Sequence, residues 1–208
     1  MTSAIQAVLW DFGGVLSESP FDAFARYERD HALPEGFLRR LNASNPHDNA
    51  WARVERCEVS VEEFYLLFEM EARAAGHEIV ASEVLALLSG AIRPAMLAAV
   101  RRCRAHFRTG LLTNNFAGFT DTADGVAETF ELFDVVIESS KVGLRKPDPR
   151  FYGLACEALQ IEPSAAVFLD DLGVNLKPAR ALGMTTIKVT DPETALAELE
   201  AVVGIPLR

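Results

Sequence analysis

The spacing of apolar residues along this chain changes character twice, near residue 17 and near residue 90. Ile5 to Trp10 is a short apolar run that stops at Asp11; Gly13 and Gly14 follow, then Val15 and Leu16. Continuous apolar runs of this length read as strands buried on both faces of a parallel sheet. From residue 17 the spacing becomes helical. Phe21, Phe24, Ala25 and Tyr27 share one face up to His31, and residues 34–41 predict a second short helix before the polar stretch 42–49. Ser60 and Glu63 form a capping-box signature ahead of the stripe Val61, Phe64, Tyr65, Phe68 and Ala72, which Gly76 closes. A further helix is predicted over residues 82–88, and no strand is predicted between residues 17 and 90.

From Pro94 onward strands and helices alternate. Pro94 suits the first turn of a helix ending near Ala105; residues 107–112 and 165–169 predict buried strands, 133–137 an apolar strand and 184–189 the last strand. Asp148-Pro149 and Asp191-Pro192 read as helix starts, with Phe151, Ala155 and Leu159 inward in the first case and Leu196 and Leu199 in the second. A helix through Leu176, Ala179 and Leu182 is predicted to stop at Gly183. The pattern predicts an α/β fold. Its core is a Rossmann-like parallel sheet formed by residues 1–16 and 91–208, into which residues 17–90 insert a small α-helical cap.

Right-handed crossovers put the carboxyl ends of parallel strands along one edge, where ligands of open α/β sheets gather. Asp11 ends the first predicted strand, Thr113-Asn114 the second, and Asp170-Asp171 the fourth. Lys146, in Gly143-Leu144-Arg145-Lys146-Pro147, follows the strand ending at Ile137 and can reach the same edge. Alone, Asp11 reads equally well as a plain strand end. Three carboxylates, a hydroxyl and one ammonium at a common edge form a cation-plus-anion site: the carboxylates suit a magnesium ion, and the hydroxyl and ammonium suit phosphate oxygens. A carboxylate there can also act as a covalent nucleophile.

With 30 acidic against 20 basic side chains, a net charge of −10 argues against a non-specific nucleic-acid or anionic-membrane partner, while leaving a small phosphorylated molecule open. Cys57, Cys103 and Cys156 are odd in number and widely spaced, which predicts reduced thiols and a cytoplasmic location. No apolar run has membrane-spanning length, and no basic segment followed by a hydrophobic one opens the chain. Oligomeric state is not readable. His31, His77 and His106 lack a second ligand at metal spacing and are expected at the surface or at helix ends. Arg101, Arg102, Arg104, Lys177 and Arg180 are expected to face solvent.

The motifs together resemble those of the haloacid dehalogenase superfamily. Asp11 matches the nucleophile of its first motif, Thr113 the hydroxyl of the second, Lys146 the third, and Asp170-Asp171 the acidic fourth. Residues 17–90 correspond to that superfamily's C1-type cap. The stretches 138–147 and 167–180, with the tail 191–207, are also similar to the N-terminal phosphatase domain of soluble epoxide hydrolases. The α/β-hydrolase half of those proteins is absent, so epoxide opening is not implied. The resemblance implies a hydrolase in which Asp11 attacks phosphorus and becomes an aspartyl phosphate. It implies magnesium held by Asp11, the Gly13 carbonyl and Asp171, with Asp170 acting directly or through a water. Thr113, the Asn114 backbone and Gly14 would bind the phosphoryl group, Lys146 would balance charge, and Asn175 would support the metal shell.

One position departs from the pattern. Phosphatases of the superfamily usually carry a second aspartate two places after the nucleophile as general acid, and here that position is Gly13. Three outcomes follow. The protein is a slow phosphatase or one that acts on good leaving groups such as acyl or glycosyl phosphates; or a cap residue (Glu18 and His47 are nominated) or a water supplies the proton; or the site binds phosphate without turnover. A metal-independent 2-haloacid dehalogenase is the alternative enzyme class. Asp170-Asp171 speaks against it, because paired carboxylates repel a third unless a cation neutralises them.

Overall fold

The structure is a computed structural model, and it describes residues 4–122 and 125–208. In chain order its regular elements begin with β1 (Ala7–Trp10) and the tight loop Phe12–Leu16. Five helices come next: α1 (Pro20–Asp30), α2 (Phe37–Ala43), α3 (Ala50–Glu55), α4 (Val61–Ala74) and α5 (Ala81–Ala86). The alternating part runs α6 (Pro94–Arg104), β2 (Arg108–Thr113), α7 (Val126–Phe130), β3 (Val135–Glu138), α8 (Ser139–Val142) and α9 (Pro149–Leu159). It closes with β4 (Ala166–Asp170), α10 (Gly173–Ala181), β5 (Thr185–Lys188) and α11 (Pro192–Val203).

The five strands form one sheet, every neighbouring pair parallel, in the order β3-β2-β1-β4-β5. This is the expected Rossmann-like α/β architecture, with β1 central because its residues are apolar on both sides. Val8 and Trp10 pack on one face with Ala99, Val100 and Cys103 of α6 and Leu196 and Leu199 of α11. Ala7 and Leu9 pack on the other with Phe151, Ala155 and Leu159 of α9 and Ala179 of α10. In register, Trp10 lies beside Leu111 and Leu169, so Asp11, Thr113 and Asp170 leave the sheet at nearly the same height.

Helices α1 to α5 form a block that leaves and rejoins the sheet domain along two chain segments running side by side. Glu18 N–H donates to Ala91 O (2.9 Å) and Arg93 N–H to Leu16 O (2.8 Å). The expected stripe of α4 is buried: Phe64, Phe68 and Ala72 are fully covered, and Trp51 packs edge-on against Phe64 and Phe68, within a hydrophobic cluster continuous with β1. The capping box forms as read, with Ser60 Oγ accepting from Glu63 N–H and Glu63 accepting from Ser60 N–H.

Some local readings change. Helix α2 starts at Phe37 rather than Pro34, because Gly36 takes a left-handed conformation (φ +70°) that sets a turn first. Helix α3 follows the polar break 42–49, in residues to which the sequence pattern assigned no element; at 6 residues it is too short to show a period, and its one signal is Asn49, whose side chain caps Ala52 N–H. Helices α7 and α8 were not expected, for the same reason of length. Helix α10 ends at Ala181, with Leu182 as its C-cap, one residue short of the expected stretch up to Gly183.

Candidate active site

The site is assembled from the loops that follow β1, β2, β3 and β4. Strand β1 delivers Asp11, whose backbone N–H donates to Leu169 O and whose Oδ1 accepts from Phe12 N–H (2.7 Å), so the carboxylate is aimed at the sheet edge. The loop behind it depends on two glycines in different ways. Gly14 has φ +74°, and a Cβ there would lie 2.4 Å from Asp171 Oδ2. Gly13 has φ −66° and ψ 130°, ordinary for any residue, and a Cβ there would meet nothing within 4 Å.

Lys146 is the centre of the cluster. Its side chain is 1% exposed, and Nζ lies 2.7 Å from Asp11 Oδ1 and 2.8 Å from Asp170 Oδ2. Asn114 holds its backbone on both sides: Lys146 N–H donates to Asn114 Oδ1 (2.8 Å), and Asn114 Nδ2 donates to Lys146 O (3.1 Å). Asn114 is thereby tied to the lysine loop through its side chain. The next residue anchors β2 to β3, with Asn115 N–H donating to Ser139 Oγ and Asn115 Nδ2 to Glu138 Oε2. Thr113 is buried, and its hydroxyl has only a long contact to Asn114 O (3.5 Å), so it remains available to another oxygen.

Asp170 is fully buried. Oδ1 accepts from Leu172 N–H (2.8 Å), Oδ2 from Lys146, and Asn175 Nδ2 lies within 3.1 Å of both oxygens. Asn175 is fixed in turn through its carbonyl, which accepts from Tyr152 Oη at 2.7 Å. Asp170 is thus an anchor for Lys146 and Asn175, with little accepting capacity left over.

Asp11, Asp170 and Asp171 each offer an oxygen within 4.8 Å of the others, an arrangement able to hold a metal ion. One ammonium against three carboxylates leaves the cluster strongly negative. Two carboxylates at ~4 Å repel by about 4 kcal/mol at an effective dielectric near 20. Burial pushes the Asp11 carboxyl well above its usual range, Lys146 pulls it back, and Asp170 and Asp171 push it further up. Asp171 is raised to about 6 by burial and by Asp170, against Lys146 and Arg39. Burial alone would drive Lys146 down, but Asp11 and Asp170 outweigh it and hold the ammonium above the ordinary lysine value. A hard divalent cation is the partner this donor set fits: oxygen ligands, an excess of negative charge, and a glycine backbone at Gly14 that lets Asp171 approach.

Other residues fall where the sequence suggested or drop out. Glu18 and His47 are exposed, and neither bonds to the cluster. His31, His77 and His106 take no part in it, and Arg101, Arg102, Arg104, Lys177 and Arg180 are exposed. The three cysteines are free. Sequence reasoning missed Arg145 and Glu55, which meet at 2.5 Å beside the lysine loop. Arg145 adjoins Lys146 in the motif, but nothing in one dimension links it to Glu55. No helix among the described residues is long and apolar enough to cross a membrane.

A family model described as haloacid dehalogenase-like hydrolase matches residues 5–183. Among curated proteins, the chain is 37% identical over 220 residues to bifunctional epoxide hydrolase 2 of Sus scrofa, covering 98% of this chain and 40% of that one. It is 28% identical over 202 residues to validoxylamine A 7'-phosphate phosphatase of Streptomyces hygroscopicus subsp. limoneus, covering 94% and 91%. The chain spans between 19% and 40% of the length of the first four curated relatives it matches. Among solved structures, a Bacteroides thetaiotaomicron enzyme in complex with magnesium and inorganic phosphate superposes with a TM-score of 0.62 at 19% identity, covering 89% of this chain and 94% of that one. At that identity the likeness is one of fold.

Proposed function

We propose that this chain, which belongs to the haloacid dehalogenase-like hydrolase family, is a magnesium-dependent phosphatase of small phosphorylated metabolites that works through an aspartyl phosphate on Asp11. The observation that carries the reading is the negative cluster itself, three buried or half-buried carboxylates gathered around a single buried ammonium. That arrangement lacks one divalent cation of being balanced, and a phosphoryl group is the ligand that would join cation and ammonium. A phosphatase of 28% identity and a fold neighbour holding magnesium and phosphate support the reading.

In this reading Asp11, the Gly13 carbonyl and Asp171 hold the magnesium, with Asp170 behind them as the anchor of Lys146 and Asn175. Bound there, the ion would neutralise carboxylate charge and polarise the phosphoryl oxygens. The residues of the chain do the rest. Lys146 lies against Asp11 and lowers the repulsion between the attacking carboxylate and an anionic phosphate. Thr113 Oγ1, the Asn114 backbone and the Gly14 backbone bind phosphoryl oxygens. An oxygen of Asp11 bonds to phosphorus as the bond to the leaving oxygen breaks; water then cleaves the acyl phosphate, returning the Asp11 carboxylate and inorganic phosphate. The leaving oxygen must gain a proton, and Gly13 has no side chain to give it. The preferred substrates are therefore those whose leaving group needs little help, glycosyl or acyl phosphates among them. Residues 17–90 act as the cap that excludes water from this chemistry.

Turnover of p-nitrophenyl phosphate should require magnesium, vanish with chelator, and vanish in Asp11→Asn. Equal activity of wild type and Asp11→Asn would overturn the proposal. Magnesium-dependent stabilisation by phosphate or beryllofluoride with no hydrolysis of a phosphoester panel would make the protein a binding module. Chloride release from 2-chloropropionate in chelator would instead point to a dehalogenase. Three free thiols agree with a cytoplasmic location, which belongs to the same proposal.

A further inference from the structure

Residues 17–90 share a continuous hydrophobic cluster with the sheet and its helices, and polar contacts fix them at several places, two of which bear on the site. On one side, the segments 16–18 and 91–93 run together, hydrogen-bonded to each other, and act as a strap. At the other lies Arg145. Its Nη1 donates to Pro46 O (3.0 Å), and its Nε lies 2.5 Å from Glu55 Oε2 on α3. Among the described residues this is the one ion pair that joins residues 17–90 to the remainder of the chain. Both side chains are largely covered, at 22% and 14% exposed.

The residue after Arg145 is Lys146. The two side chains of this dipeptide therefore leave in opposite senses, one to the helical block and one to the carboxylates of Asp11 and Asp170. Little slack separates them. Lys146 N–H and O are both bonded to Asn114, and Asp148 N–H donates to Arg145 O (2.9 Å). A displacement of the block that pulls on Arg145 is transmitted to Lys146 through a single peptide unit.

Resting on the phosphatase reading above, we propose that Arg145 is a positioning residue: its contacts with Glu55 and Pro46 hold the lysine loop in place, so that Lys146 is seated between Asp11 and Asp170 only while the helical block is closed. The physical logic is that of a desolvated pair across a moving interface. Closed, Arg145 Nε and Glu55 Oε2 lie against one another as opposite charges and Arg145 Nη1 donates to Pro46 O; open, each charge returns to water, and the loop loses its outer fixing point. The charged groups facing Glu55 are Arg145, Lys146 and Arg56, all cations, so closure also places a carboxylate behind the catalytic lysine. Errors of about 1 Å in a catalytic group cost about 10²-fold in rate.

The test is a double-mutant cycle on the full chain with Arg145→Met, Glu55→Gln and the pair together, and with Arg145→Lys as the conservative variant. Turnover of p-nitrophenyl phosphate with magnesium is read alongside hydrogen exchange of residues 16–18, 91–93 and 113–114 in protein without substrate. Each single change should lower kcat about 10- to 100-fold with KM within about threefold, as expected for lost positioning. The double variant should be no worse than the poorer single, Arg145→Lys should recover part of the rate, and exchange should quicken at both sets of amides. Additive losses would overturn the proposal, as would kcat within twofold of wild type in Arg145→Met or unchanged exchange at 113–114. If wild type itself lacks turnover, the phosphatase reading fails, and the exchange measurements still decide whether Arg145 couples the block to the loop.

Discussion

Replacing Gly13 by aspartate adds a carboxyl at the position of the Asp11 loop where a new Cβ meets no atom within 4 Å, in a backbone conformation (φ −66°, ψ 130°) open to any residue. Folding should therefore tolerate it. General acid catalysis contributes about 10²- to 10⁴-fold, which at 1.36 kcal/mol per decade is about 3–5 kcal/mol of barrier. Against this stands a fourth negative charge at the cluster. With the cation bound the cluster is balanced, and a carboxyl ~5–6 Å from one negative charge of the bound phosphate is raised in energy by about 3 kcal/mol at an effective dielectric near 20. That repulsion acts only on the ionised form. It lifts the new group's pKa by about 2 units, toward neutrality, and so keeps it in the protonated state that a donor needs. The two effects work in the same direction for proton donation. Hydrolysis of an alkyl phosphate such as phosphoethanol should rise at least about tenfold, while p-nitrophenyl phosphate, whose leaving group scarcely needs a proton, should change less than about threefold. Gly13→Ala, which adds the Cβ without the acid, should match wild type on both. The reasoning is refuted if folded Gly13→Asp leaves the alkyl rate unchanged although Asp11→Asn is inactive; the proton then comes from elsewhere.

Gly14 is the opposite case. With φ +74° and a Cβ only 2.4 Å from Asp171 Oδ2, Gly14→Ala should displace the Asp171 carboxylate, lowering kcat about 100-fold and stability by about 1–3 kcal/mol; wild-type kcat and Tm together would refute this. In the helical block, Phe64→Ala removes a fully buried ring stacked on Phe68 and against Trp51, and should cost about 3–5 kcal/mol by urea unfolding; a loss under 1 kcal/mol would mean that the block's core is not where the structure puts it. At the carboxyl end, Glu200 accepts from Leu207 and Arg208 backbone N–H groups and pairs with Arg208, whose hydrogen bond lowers its carboxyl to about 2. A depressed carboxyl stabilises above its unfolded pKa and stops doing so as pH falls through the folded value. The tail should therefore stay docked at neutral pH and loosen between about pH 4.5 and pH 2. Exchange of the Leu207 amide against pH reads this, and a profile identical in Glu200→Gln would contradict it.

What could be read from the sequence is what short-range physics writes there. The buried strands announce themselves as apolar runs because a central parallel strand has no solvent face, and β1 is the plainest case. The capping box at Ser60 and Glu63 and the N-cap at Asp148 are contacts within 3 residues, so their spacing is their structure. Asp11, Thr113, Lys146 and Asp170 could be nominated because parallel strands present their carboxyl ends on one edge, whatever order they take. Only the tertiary structure decided the rest. It put β1 between β2 and β4, buried Lys146 between two carboxylates, and turned Asp170 into an anchor by filling its oxygens from Leu172, Asn175 and Lys146. It showed Gly13 to have room around it and Gly14 to have none. It also paired Arg145 with Glu55, 90 positions earlier in the chain, on a helix too short to declare itself. The division has one physical cause: local propensity and periodicity act within a few residues, whereas charge balance and packing depend on which distant groups the fold brings to the same place.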